Sequence, residues 1–119
     1  MGDDAAFNLD EAMARVEHDR DIFQTIAKLF VEHAPNDLVA VQKALAAGDA
    51  VGVAQFAHRL KGSVMQFCAP AVFAGAKELE AMGRAGDLSS AGRICAELET
   101  NLLRLVEALR RELDKGLAA

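Results

Sequence analysis

The 119-residue sequence has no Trp, no Tyr, two Cys and two Pro, and its 13 Lys and Arg are outnumbered by 18 Asp and Glu, for a formal charge of −5. Each shortage excludes something. Two cysteines cannot build a disulfide framework, so reduced thiols and a cytoplasmic location are expected. An acidic chain without a basic cluster is a poor match for nucleic acid, where phosphate neutralisation needs concentrated Lys and Arg. No apolar run reaches the length that spans a bilayer, so no membrane partner is expected. Met1-Gly2-Asp3-Asp4 is acidic where a signal peptide is basic and then apolar, and Ala6 stands where a myristoylation signal has Ser or Thr. Aromatics at 5% leave strands little to build on, whereas 52% apolar residues, mostly Ala and Leu, are enough for a packed helical interior. The length suits one core, so a single domain over 1–119 is expected, ordered over about 8–114.

Helix signals divide the chain cleanly. Asn8 is placed to cap a short helix over 9–17, with Asp10 and Glu11 at its positive end. Asp19 caps a second, whose apolar positions Phe23, Ile26, Ala27, Phe30, Ala34, Leu38, Val41 and Leu45 hold helical phase through Pro35. That continuity predicts one kinked helix over about 20–46, with two abutting helices as the alternative. Gly48 and Asp49 form a stop and a cap. A third helix follows to about Cys68 on the stripe Val53, Ala57, Leu60, Val64, Phe67. Pro70 opens a fourth, with Val72, Ala76 and Leu79 inward, which Gly83 to Asp87 is expected to end, Asp87 being a further candidate cap. The last, over about 88–114, carries Cys95, Leu98, Leu102, Leu105, Leu109 and Leu113 on one side, and Leu117-Ala118-Ala119 reads as a frayed end. No alternating strand pattern or internal repeat competes. The fold class is all-α: an antiparallel four-helix bundle with a short extra N-terminal helix as a lid.

The third helix holds an anomaly. At about 100° per residue, Ala54, His58, Lys61, Gly62 and Met65 share a stripe beside the core face. A solvated flank of an acidic bundle carries Glu, Lys, Gln and Arg, yet here one imidazole and one ammonium sit among small and apolar side chains. Mid-helix Gly costs about 0.5–1 kcal/mol relative to Ala, so Gly62 calls for a reason. A lone His at a core edge is structural in most helical domains, and Gly62 alone could serve close helix packing. Together the residues point to a histidine that a partner surface can approach.

Several chemistries lack their residues. A metal site on this helix needs a second ligand one turn away, but those positions hold Ala54 and Gly62. His18 reads as a link residue, and His33 as a late-helix side chain favouring the negative helix end. Ser63 points about 100° away from His58, and Cys68 lies near the apolar face, so neither makes a nucleophile pair with it. The histidine as nucleophile remains, with phosphoryl transfer its natural use: a neutral ring nitrogen accepts the group and a nearby Lys offsets its charge.

Ala57-His58-Arg59-Leu60-Lys61-Gly62-Ser63 closely resembles the Ala-His-x-Leu-Lys-Gly-(Ser/Ala) signature of histidine-containing phosphotransfer (HPt) domains. Phe23 to Phe30 resembles the family's preceding helix, Gly48-Asp49 its turn, and Glu78-Leu79-Glu80 the helix facing the histidine. The resemblance implies a phosphorelay intermediate without autonomous catalysis or an ATP site. His58 would take the phosphoryl group on its outer nitrogen from a receiver-domain aspartyl phosphate and pass it to another receiver. Lys61 would meet the phosphoryl oxygens, Gly62 would admit the partner, and Glu80 would hold the inner ring nitrogen, with Ser63 in support. Partners would be receiver domains of response regulators and hybrid sensor kinases, which supply Mg²⁺; this chain would bind no cofactor and act as a monomer. Their docking surface would include Ala54, Arg59 and Met65, with Met13 or Val16 of the first helix as further candidates, and be small and transient. Cys68 departs from the family, where Gly is frequent at that position, which bears on the local turn; Cys68 and Cys95 read as small core hydrophobes. Three alternatives stay open: the phosphotransfer module of a chemotaxis-type kinase, an adaptor bundle whose histidine is idle, and a helical metal-binding bundle.

Overall fold

The computed structural model describes residues 6–118, with side chains through Lys115. The expectations drawn from Met1 to Asp4 lie outside it. Five helices follow one another: α1 (Leu9–Arg15), α2 (Arg20–Ala46), α3 (Ala50–Val64), α4 (Pro70–Ala85) and α5 (Ala91–Ala118). Their starts obey local chemistry. The carboxamide oxygen of Asn8 accepts from Glu11 N–H at 3.0 Å, Asp19 from Ile22 N–H at 3.1 Å, and Asp49 from Gly52 N–H at 2.9 Å, each satisfying a donor the helix cannot. Gly48 and Gly86 end α2 and α4 with φ of +69° and +72°, a conformation that a Cβ disfavours. Pro35 lies inside α2, which runs through it as one helix. The apolar face of α2 is buried on both sides of the proline, so packing outweighs the lost backbone bond.

α2, α3, α4 and α5 pack in sequence, and α5 closes the ring against α2, the topology of an antiparallel four-helix bundle. The predicted inward positions of α3, α4 and α5 form its core, with only Leu113 partly covered. Phe67 is wedged edge-on between Phe23 and Phe30, with ring centroids 6.1 and 5.0 Å away. α1 lies across this end, against α2 and the turn after α3, and Asn8 N–H donates to Cys68 C=O at 3.1 Å.

Four local expectations need correction. α3 ends at Val64, and Met65–Phe67 form a single 3₁₀ turn before Cys68 enters the left-handed region at φ +53°. That conformation explains why glycine suits the position. Cys68 is half-buried at the rim and accepts from Arg15 Nε at 3.3 Å; only Cys95 is a core thiol. The fourth helix ends inside the expected stretch Gly83 to Asp87, with Gly86 as its cap, while Gly83 itself is buried in the last turn of α4, where a Cβ would lie 2.6 Å from Ala50 O and Ala54 N, so it sets how closely α3 and α4 approach. α5 begins at Ala91, because Asp87 spends its carboxylate on Ser89 N–H and Oγ in a separate turn, and it continues as helix to Ala118 beyond the expected end. His33 sits mid-helix in α2, away from its negative end.

Candidate functional site

The site is built where α3 faces α4. Glycine at position 83 brings the two helices close, so a side chain on either can reach across. Leu60 and Val64 lock one face of α3 into the core, which turns His58 outward with 63% of its side chain exposed. From α4, Glu80 points back at it and is the one buried charged residue among those described. Its side chain is 4% exposed and its carboxylate meets three donors. Oε1 takes Lys61 Nζ at 2.6 Å, while Oε2 takes both His58 Nδ1 at 2.7 Å and Arg84 Nη2 at 2.6 Å. An ionised carboxylate has lone pairs for all three donors and no proton to give. Lys61 above all, then His58 and Arg84, hold the Glu80 carboxyl below its ordinary value against the opposing effect of burial.

This arrangement fixes the orientation of the ring. An ionised Glu80 accepts from Nδ1–H, so the lone pair of a neutral ring lies on Nε2, on the edge away from the carboxylate. Gly62, one turn on, has nothing within 4 Å of where a Cβ would stand, so the approach to Nε2 is open on that side. The geometry provides an exposed imidazole with its inner nitrogen engaged and an ammonium one turn away.

The other expected residues take distinct places. Lys61, 24% exposed, is held by Glu80 at rest. Ser63 Oγ donates to Arg59 C=O at 3.1 Å, a bond within its own helix. Arg59 reaches over the Phe56 ring at 5.5 Å and pairs with Asp37 at 3.6 Å, a fixed cation beside the histidine. Ala54 is half-buried against Gly83. Met65, 48% exposed, lines a different groove, with Phe7, Arg15 and Cys68 near α1. Met13 is buried in the core and Val16 is partly buried against it.

Arg84 and one wall of the site escaped the sequence. Arg84 is four residues from Glu80 on one helix, a spacing that signals contact once Glu80 is known to matter. The groove beside His58, about 510 Å³, is walled on α2 by Ile26, Leu29 and His33. Only the pairing of α2 with α3 places them there.

With this geometry in view, comparison with known families is decisive: the Hpt domain matches residues 25–115. The chain belongs to the Hpt domain family. Two solved structures share the fold. Histidine-containing phosphotransfer protein B from Pseudomonas aeruginosa PAO1 superposes with a TM-score of 0.85 at 24% identity, over 92% of this chain and 95% of that one. The HPT domain of the Hpt sensor hybrid histidine kinase from Shewanella gives 0.83 at 18% identity, over 93% and 96%. No curated protein sequence matches the chain significantly. The family match begins inside α2 and runs through α3 and α4 into α5, so α1 and the first turn of α2 lie outside it. Among the described residues no helix is long and apolar enough to cross a membrane, and no group of three or more His, Cys, Asp or Glu is arranged to hold a metal. This Hpt domain thus presents His58 on a bundle surface with its inner nitrogen tied to a buried carboxylate.

Proposed function

We propose that this Hpt domain is a phosphorelay intermediate: His58 accepts a phosphoryl group from the aspartyl phosphate of one receiver domain and passes it to the aspartate of another. The observation that carries the reading is the pairing of an exposed Nε2 with an Nδ1 held at 2.7 Å by buried Glu80. In the first step the Nε2 lone pair forms a bond to phosphorus while the bond from phosphorus to the aspartyl oxygen breaks, releasing the carboxylate. Positive charge develops on the ring, and Glu80 offsets it through the retained Nδ1–H. The second step reverses these roles on a new carboxylate. Lys61, one turn from His58, would then meet the phosphoryl oxygens. Mg²⁺ would be held by the receiver, whose acidic site supplies the remaining stabilisation. Gly62, Arg59 and the α2 wall of the groove offer the receiver an open, mainly apolar surface with a charged rim, suited to a brief encounter between a monomeric carrier and each partner in turn.

Incubation with a phosphorylated receiver domain, with His58→Gln alongside, tests the reading. The wild type is expected to take up acid-labile, alkali-stable label, and the mutant none at an unchanged melting temperature. Label on both proteins would move the acceptor to His18 or His33. Label on neither, across receivers of the source organism, would favour an adaptor.

A further inference from the structure

Resting on that reading, a second question concerns the three donors on Glu80. While Lys61 Nζ lies 2.6 Å from Oε1, it is not on a phosphoryl group. To serve there it must leave a carboxylate that is 4% exposed, and a buried anion stripped of its counter-charge is strongly unfavourable. Two outcomes would follow if Lys61 were the sole cation: Glu80 would take a proton and lose its hold on Nδ1–H, or Lys61 would stay where it is. Arg84 removes that choice. Its guanidinium sits 2.6 Å from Oε2, on the opposite oxygen from Lys61 and on the same oxygen as the ring. Arg84 comes from the same helix as Glu80, so its contact does not depend on α3. Its side chain is 69% exposed, contributes nothing to the core, and is permanently charged.

We infer that Arg84 is a positioning residue for phosphoryl transfer: it holds the charge of Glu80 when Lys61 turns from that carboxylate to the phosphoryl group on His58. Arg84 therefore acts through Glu80 and touches neither reacting atom.

Phosphoramidate, a small-molecule donor, isolates this effect from receiver docking. Nε2 bonds to phosphorus, the phosphorus–nitrogen bond of the reagent breaks, and ammonia leaves. Phosphohistidine formation is followed by ³¹P NMR in wild type, Arg84→Gln, Arg84→Lys, Glu80→Gln and the Glu80→Gln/Arg84→Gln double variant, with the ¹⁵N signal of Lys61 Nζ recorded before and after. Arg84→Gln is expected to react about tenfold more slowly, Arg84→Lys to recover most of the rate, and the double variant to be no slower than Glu80→Gln, because without the carboxylate charge Arg84 has nothing to hold. The Lys61 signal should move on phosphorylation in wild type and stay in place in Arg84→Gln. A wild-type rate in Arg84→Gln overturns the inference. So does an equal loss in the Glu80→Gln background, which would mean that Arg84 attracts the donor directly. Absence of phosphohistidine at position 58 in wild type is a different result: it removes the carrier reading, and this inference with it.

Discussion

At the residue scale, one carboxylate organises the chemistry, and its partners give stability a pH dependence of known sign. The Glu80 carboxyl is held below its ordinary value of 4.5, so the folded protein gains from its ionised form. That gain is fully present above about pH 4.5 and is lost as pH falls through the lower folded value. Replacing Glu80 by Gln keeps the shape but leaves Lys61 and Arg84 without their counter-charge. Hydrogen bonds to charged groups are worth about 1.5–3 kcal/mol, so Glu80→Gln should be less stable than wild type by about that much at pH 7. The gap should narrow as pH falls below 4.5 and through the lower folded value, where the Glu80 carboxyl becomes neutral like the amide. Urea unfolding at pH 7 and at successive acid pH values checks this, and a gap of constant size would show that the carboxylate charge is not what stabilises the cluster. His58, Lys61 and Gly62 were legible in the sequence because all lie within two turns of one helix, where spacing alone fixes the face. The pairing of Glu80 with the ring came from family resemblance, and Arg84 and His33 were not legible, because their roles depend on which helices pack together.

At the scale of elements, two glycines show how different demands produce the same letter. Gly62 lies in the last turn of α3 with open space around it, whereas Gly83 lies in the last turn of α4 with the backbone of α3 pressed against it. An alanine at 62 should stabilise the free protein by about 0.5–1 kcal/mol through helix propensity. It should also slow receiver-dependent transfer about tenfold, since its methyl stands where the partner approaches. An alanine at 83 meets Ala50 O and Ala54 N at 2.6 Å and must push α3 and α4 apart. Overpacking of this kind costs about 1–3 kcal/mol, more than the propensity gain, so the melting temperature should fall. Thermal melts of both variants, with transfer assays on Gly62→Ala, would separate the roles; a stabilised Gly83→Ala would refute the packing account. Both glycines look alike to a reading of sequence: Gly-Arg-Ala-Gly-Asp marks where α4 stops, but only the packing of α3 on α4 shows that Gly86 is the cap and Gly83 the close contact. Caps at Asn8, Asp19 and Asp49 were readable because they need only a side chain and an amide three residues on. Asp87 follows the same local rule but bonds Ser89, two residues on, so α5 starts later than its carboxylate suggests.

At the scale of the whole molecule, helix lengths shape a rod of 47 × 24 × 20 Å. α2 and α5, at 27 and 28 residues, each run about 40 Å, while α3 and α4 are little more than half as long. The long pair therefore extends past the end of α3, and α1 covers that end by seating Phe7, Ala12 and Met13 in the core beside the Met65–Phe67 turn. His58 lies six residues before the end of α3, about 9 Å along the helix, and the Met65–Phe67 turn adds to that separation. The lid packs on that turn and on α2, which also walls the groove beside His58. The distance separates stability from function in a testable way. Phe7 is 7% exposed, and truncating a buried Phe costs about 3–5 kcal/mol in a closed core; at the edge of a small lid the lower figure applies. At about 4 °C per kcal/mol for a chain of this size, Phe7→Ala should melt roughly 12 °C below wild type. Its phosphoryl uptake from phosphoramidate at 20 °C should remain within twofold of wild type, because Glu80, Lys61 and Arg84 keep their places on α3 and α4. A matching fall in both quantities would mean that the lid reaches the histidine through the helix they share, and that the bundle does not hold the site independently of its cover.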